Sequence, residues 1–230
     1  MRKLVLCVST LALASLAACG GGDAALITAN WSFSTVAGAN IPVCPPTFTT
    51  AEVHAQSVTG GGEVIDLYTC DDFTGTSAYA LDDYDVFIAI TTEGGGGLYG
   101  ETLTGAVDIS DGVDKTYTAQ LLDDGGYFSM DWQLKGAATN ANLDCSQVNP
   151  DSIEIQSTFN TDTSLKTDKF DCIDLHGTTA GLLAGDYMIS AQALNASDAA
   201  IGTSADKAGT IQDHNGETDL GLFVISIDGM

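Results

Sequence analysis

Thirty-one acidic residues against seven Lys and Arg give this 230-residue chain a formal net charge of −24, and 44% of its residues are hydrophobic. That balance argues against nucleic acid, phosphate groups and anionic lipid as partners, because such ligands are held by Lys and Arg. It describes a soluble, self-repelling surface on which divalent cations are the ligands that acids could take.

The chain opens with Met1-Arg2-Lys3 and an apolar run from Leu4 to Ala14, an export signal too short to span a bilayer as a helix. It ends in Leu16-Ala17-Ala18-Cys19, which resembles a bacterial lipobox. The resemblance implies removal of residues 1–18 and acylation of Cys19, with palmitate among the acyl chains. Gly20, where an Asp would imply inner-membrane retention, implies the outer membrane, and two or more acyl chains suffice for stable anchoring. Without its first 18 residues the chain has five lysines, no arginine and all 31 acids, a formal net charge of −26. Residues 19–25 read as a lipidated tether, whose stretch from Gly20 to Ala25 reaches about 20 Å at most.

One frame then appears twice. Trp31, Cys44, Cys70 and Tyr84 recur as Trp132, Cys145, Cys172 and Tyr187, at offsets of 101, 101, 102 and 103 residues. Four landmarks at so constant a spacing mean a duplicated domain, placed at 26–124 and 125–230. Of six cysteines, Cys7 lies in the signal and Cys19 takes the lipid. The remaining four allow three pairings, and the duplication selects Cys44–Cys70 and Cys145–Cys172. Each bridge stabilises its domain by about 3–4 kcal/mol on the chain-entropy view. The closely spaced ligand pairs of a four-thiolate zinc site are missing.

In chain order, Ile27 to Ser34 alternates as a strand with Trp31 and Phe33 on one face. Pro42, Pro45 and Pro46 preclude regular structure around Cys44. Residues 51–56 follow as a strand with Val53 and Ala55 inward, then Val64 to Cys70 after a glycine turn. Tyr84, Val86, Ile88 and Ile90 share the face of the strongest strand. Asp111-Gly112 predicts a tight turn between Val107–Ile109 and Thr116–Leu122, and Asp123-Asp124-Gly125-Gly126 a four-residue polar linker. The second copy repeats the path through Tyr127–Leu134, Ser152–Gln156, Leu165–Cys172, Gly185–Leu194 and Ala208–Ile211. Asn215-Gly216 signals a hairpin before Leu220–Ile227. The fold class is all-β: two tandem antiparallel β-sandwiches of about seven strands each.

The stretch Lys169-Phe170-Asp171-Cys172 through Leu183-Ala184-Gly185-Asp186-Tyr187-Met188-Ile189-Ser190 resembles the core signature of prealbumin-like domains, such as carboxypeptidase-regulatory-like and collagen-adhesin B-type repeats. The first repeat keeps it poorly, with Asp82-Asp83 where the glycine falls. The resemblance implies a seven-stranded sandwich of prealbumin-like or immunoglobulin-like type, serving as a stalk or accessory module.

Catalytic constellations are missing. There is no Gly-x-Ser-x-Gly elbow, and the two bridges consume the thiols left after lipidation. His54, His176 and His214 have no histidine at ligand spacing; His54 reads as an outward strand residue, His176 and His214 as turn residues. Asp108, Asp111 and Asp114 surround one turn and are the calcium candidates, since calcium takes six to eight hard oxygens. Trp31 and Trp132 read as core, with an exposed sugar platform as the competing possibility. The expected function is that of a non-catalytic envelope lipoprotein, a structural or interaction module at the outer membrane with an envelope protein or glycan as partner. The alternative is calcium or glycan binding by acidic loops at one sandwich end.

Overall fold

The computed structural model describes residues 23–229; the export signal and Cys19 lie outside the described residues. The first half contains β1 (Ala24–Ser34), β2 (Asn40–Ile41), β3 (Thr50–Ser57), β4 (Glu63–Thr69), β5 (Thr74–Ala80), β6 (Asp83–Thr91), β7 (Leu98–Glu101), β8 (Gly105–Asp108) and β9 (Lys115–Leu122). The second contains β10 (Gly125–Gly136), β11 (Asn142–Leu143), β12 (Ser152–Phe159), β13 (Leu165–Phe170), β14 (His176–Thr178), β15 (Leu182–Leu183), β16 (Gly185–Leu194), β17 (Ala200–Thr203), β18 (Lys207–Ile211) and β19 (Gly216–Ile227). Among the described residues the one α-helical turn, α1 (Cys145–Val148), follows β11, and short 3-10 turns occupy Cys70–Asp72 and Cys172–Asp174.

The molecule is all-β and forms two tandem sandwiches with separate cores. In the first, β1 carries β5 and β2 antiparallel and β9 parallel; the facing sheet runs β4-β3-β6, with β7 and β8 both on β6. In the second, β10 carries β11, β14 and β15 antiparallel and β19 parallel, against β13-β12-β16 with β17 and β18 on β16. The expectation of wholly antiparallel sandwiches is corrected by one parallel ladder in each domain, between its first and last long strands. A parallel pair needs a long crossover, and here the rest of the domain supplies it. β17 also pairs with the end of β19, at Gly202↔Ile227, and so joins the two sheets of the second domain.

Period-two alternation places the core. Tyr84, Val86, Ile88 and Ile90 are all buried, as are Tyr187, Ile189, Ala191 and Ala193 at the equivalent positions of β16. Both tryptophans are buried in the two cores. Trp31 donates its indole N–H to the Cys70 carbonyl at 2.8 Å, and Trp132 does the same to the Cys172 carbonyl at 3.0 Å. The disulfides Cys44–Cys70 and Cys145–Cys172 are present, with Cα–Cα distances of 6.1 and 5.8 Å. Tyr84 and Tyr187 each donate a hydroxyl hydrogen bond to the carbonyl four residues upstream, on Ala80 and Leu183.

Four local expectations are corrected. β1 begins at Ala24, so Ala24 and Ala25, placed in the tether, pair with Ala80 and Tyr79. Gly125 and Gly126, placed in the linker, are buried residues of β10, so only Asp123 and Asp124 separate the strands. Asp111-Gly112 joins β8, which pairs with β6, to β9, which pairs with β1; it crosses between sheets and closes no hairpin. Asn215-Gly216 likewise joins β18 on β16 to β19 on β10. The left-handed φ of +65° at Asn215 suits a cross-sheet turn as well as a hairpin.

That second turn is also the domain junction. Asn215 is 3% exposed. Its side-chain oxygen accepts from the Leu122 N–H at 2.8 Å, and its side-chain nitrogen donates to the Glu101 carbonyl at 2.6 Å. His214 stacks on Tyr99 with ring centroids 4.2 Å apart, and the Tyr99 hydroxyl donates to the Asp123 carboxylate. Burial and the neighbouring Asp123 push the Tyr99 phenol well above its ordinary range. Position 100 must be glycine: a Cβ there would lie 2.1 Å from the His214 carbonyl oxygen. Asn215→Ala leaves a backbone donor and an acceptor unpaired at the junction, and is expected to cost about 1–3 kcal/mol. Thermal unfolding should then resolve into two transitions, and small-angle scattering should register a wider spread of interdomain angles.

Candidate functional site

Of the three acids expected to bind calcium, two are engaged by their own loop and the third by β1. Asp108 accepts from the Ser110 backbone N–H at 2.8 Å and its hydroxyl at 2.6 Å. Asp111 accepts from the Val113 N–H at 2.9 Å and from Lys115 at 3.1 Å, while Asp114 reaches across to the Leu26 N–H at 2.8 Å. Among the described residues, no three His, Cys, Asp or Glu side chains form a group that could hold a metal ion. The histidines are also dispersed. His54 lies between Glu63 at 2.8 Å and Glu52 at 3.5 Å and stacks on Phe87 at 4.4 Å. His176 opens β14 instead of sitting in a turn, and meets Asp131 across the ladder at 2.9 Å. The buried tryptophans present no stacking platform for a sugar.

The acidic turns set a pH response. The Ser110 hydroxyl and N–H hold the Asp108 carboxyl below the usual range, the Val113 N–H and Lys115 do so for Asp111, and the Ser57 and Thr59 hydroxyls for Asp82. Asp83 moves the other way, raised by its hydrogen bond to Asp108 and the charge of that neighbour.

The surface that stands out lies in the second domain, beside the Cys145–Cys172 bridge. A cleft of about 510 Å³ opens there between Leu134 on β10, Leu143 on β11, Cys145 on α1, Ile173 and Leu175 around the 3-10 turn, and Leu222 on β19. Ile173 is 79% exposed, and Leu175, Leu222 and Val224 also face solvent. The first domain, built on the same frame, keeps apolar residues at the matching cleft positions Phe33, Ile41, Cys44 and Phe73, but is polar at three of the exposed ones. Residue 71, after Cys70, is Asp where residue 173, after Cys172, is Ile. Trp31 pairs with Ala119 and Trp132 with Phe223, so Leu222 and Val224 correspond to Thr118 and Gln120.

Local chemistry explains how the exchange is tolerated. Asp71 accepts from the Cys44 N–H at 3.1 Å and steadies an irregular, proline-rich segment. In the second domain the segment holding Cys145 is a helical turn, capped by a reciprocal box between Asp144 and Gln147. Position 173 is thereby free of a structural task. Asp144 is the one ionisable side chain at the cleft and is occupied in that cap. The cleft can therefore bury apolar groups, and it has no acid–base pair with which to do chemistry. Sequence reading missed it, because its walls come from segments up to 90 residues apart, from Trp132 to Leu222.

No protein-family model matches the chain, and no curated protein matches it in sequence. Among solved structures, a leucine-rich repeat protein of Bacteroides thetaiotaomicron is similar over 89% of this chain, at 12% identity and a TM-score of 0.40. This chain spans 26% of that protein's length. The minor pilin of Streptococcus agalactiae is similar over 90% of this chain and 98% of its own, at 9% identity and a TM-score of 0.30. A streptococcal ancillary pilin is similar over 92% of this chain and 64% of its own, at 9% identity and a TM-score of 0.27. Likeness at this level bears on neither activity nor partner.

Two measurements check the acidic turns. The unfolding midpoint is expected to be the same in millimolar calcium and in chelator. The lowered carboxyls of Asp82, Asp108 and Asp111, and of Asp162, which the Ser164 N–H and hydroxyl hold down, stabilise the fold above the ordinary carboxylate range, and this is lost as pH falls through their folded values. Asp83 opposes them, its contribution being lost as pH rises through its raised value. With four lowered carboxyls against one raised, the urea midpoint should fall between about pH 5 and about pH 2.

Proposed function

We propose that this protein is a non-catalytic interaction module of the cell envelope. In this reading the chain is held at the outer membrane by acylated Cys19 and offers the apolar cleft of its second domain to an envelope protein. One observation carries the proposal: two domains share a fold, a bridge and a buried Trp, yet Asp71, Thr118 and Gln120 of one become Ile173, Leu222 and Val224 of the other. Shared positions keep the core, so the change of outer face serves something other than folding. A contiguous exposed apolar patch rimmed by polar residues is what a protein contact surface requires. The −24 charge of the chain keeps copies apart and fits a partner of another kind.

An anchor at Cys19 would set the cleft away from the bilayer. Only Gly20 to Asp23 separate Cys19 from β1, so the lipid would hold the first domain against the bilayer and present the second beyond it. A photoreactive residue at position 173 is expected to give a discrete adduct in intact cells, lost on Leu222→Thr. Cys19→Ala is expected to abolish palmitate incorporation and move the chain to the soluble fraction. Failure to form any adduct, or turnover by the purified chain in a broad hydrolase screen, would overturn the reading.

A further inference from the structure

The two domains also differ at an edge. β4 pairs with β3 alone and forms the rim of its sheet. Hydrogen bonds from the Ser57 N–H to the Gly62 carbonyl and from the Cys70 N–H to the Thr49 carbonyl bracket this ladder. Alternation in an antiparallel pair then turns the backbone groups of Val64, Asp66 and Tyr68 toward β3 and those of Ile65 and Leu67 outward. Such a rim is a template for another strand, and proteins ordinarily guard it with lysine or other charges.

The second domain does so. Its equivalent rim, β13, carries Lys166, Thr167 and Lys169 where β4 has Val64, Ile65 and Leu67, and Lys169 is fixed to Asp198 at 2.5 Å. The first domain has the reverse: Val64, Ile65 and Leu67 are 44%, 47% and 67% exposed. A groove of about 610 Å³ runs past Leu67, Tyr68 and Thr69, with Glu52 and Glu93 in its wall. Glu63 and Asp66 lie on the rim itself. The single lysine between residues 26 and 124 is Lys115, on β9 in the other sheet.

We infer that β4 accepts an extended strand from a partner protein, a segment of alternating apolar residues flanked by Lys or Arg. Backbone pairing to Ile65 and Leu67 would supply the affinity, and Glu93, together with Glu52 and Glu63 around His54, would select the positive flanks. A second copy of the chain fits poorly, since two β4 rims would bring like charges together. The inference rests on the reading of the protein as an interaction module, and adds the mode of docking and the charge of the partner.

The test uses the full-length chain in detergent and three synthetic peptides. One has a Thr-Val repeat between pairs of lysines, one the same repeat between pairs of glutamates, and one the lysine peptide N-methylated at alternate residues. The lysine peptide is expected to slow amide exchange in residues 63–69 at least tenfold, the glutamate peptide to bind at least tenfold more weakly, and the methylated peptide to give no protection. Ile65→Thr with Leu67→Lys, the residues the second domain uses, should lower affinity for the lysine peptide at least tenfold without changing the melting temperature. Binding without protection of 63–69, equal binding of the glutamate peptide, or indifference to the double substitution would overturn the inference. So would protection of 63–69 that grows with protein concentration in the absence of peptide, which marks pairing between copies. A position-173 adduct that persists while the peptide test fails would leave the interaction reading standing and remove this one.

Discussion

The indole–carbonyl bond between tryptophan and cystine is the constraint on which each domain turns. Trp31 lies on the central strand of one sheet, and its N–H reaches the carbonyl of Cys70, where the chain leaves the other sheet. The disulfide ties that same residue to the irregular segment at Cys44. Sheet, crossover and loop are therefore pinned at one residue, with a large ring filling the space between the layers. Burying an indole without a partner for its N–H would be costly, which binds the placement of the ring to the placement of the turn. Trp132 and Cys172 repeat the arrangement. Around it the outer faces can change without disturbing the core, and the two domains have diverged there.

Strands whose inward residues are large were legible in the sequence. Tyr84, Val86, Ile88 and Ile90 alternate so strongly that only a half-buried strand accounts for them. The cystine pairing was legible as well, because a duplicated frame removes two of three possibilities. β5 was not. Its inward positions are Gly75, Ser77 and Tyr79, and the glycine is there because a Cβ would meet the Tyr68 ring at 2.5 Å. A strand that buries a hydrogen atom where others bury isoleucine leaves no periodic trace.

The misread turns share a cause. Asp-Gly and Asn-Gly report that the backbone enters a left-handed region, and both do mark turns here. Whether the flanking strands then pair with each other or diverge to opposite sheets is decided by distant partners. The role of Asn215 at the junction is equally hidden, since its contacts lie 93 and 114 residues away at Leu122 and Glu101. The cleft shows the same limit: nothing local says which way a lone Ile173 points from a 3-10 turn. What a sequence can disclose is that residue 173 differs from residue 71 in kind, and only the fold shows that Leu222 differs from Thr118 on the same side of the molecule.

The parallel ladders have a mechanical meaning. In the first domain eight registered pairs join β1 to β9, from Ile27↔Lys115 to Ser34↔Leu122, and the chain enters at the foot of β1 and leaves at the head of β9. Tension applied between the start of β1 and the end of β9 would stretch all those rungs together, in shear, instead of peeling them one after another. The ladder of β10 and β19 repeats the geometry for the second domain. Two such ladders follow one another along the chain, each arranged to be loaded in shear.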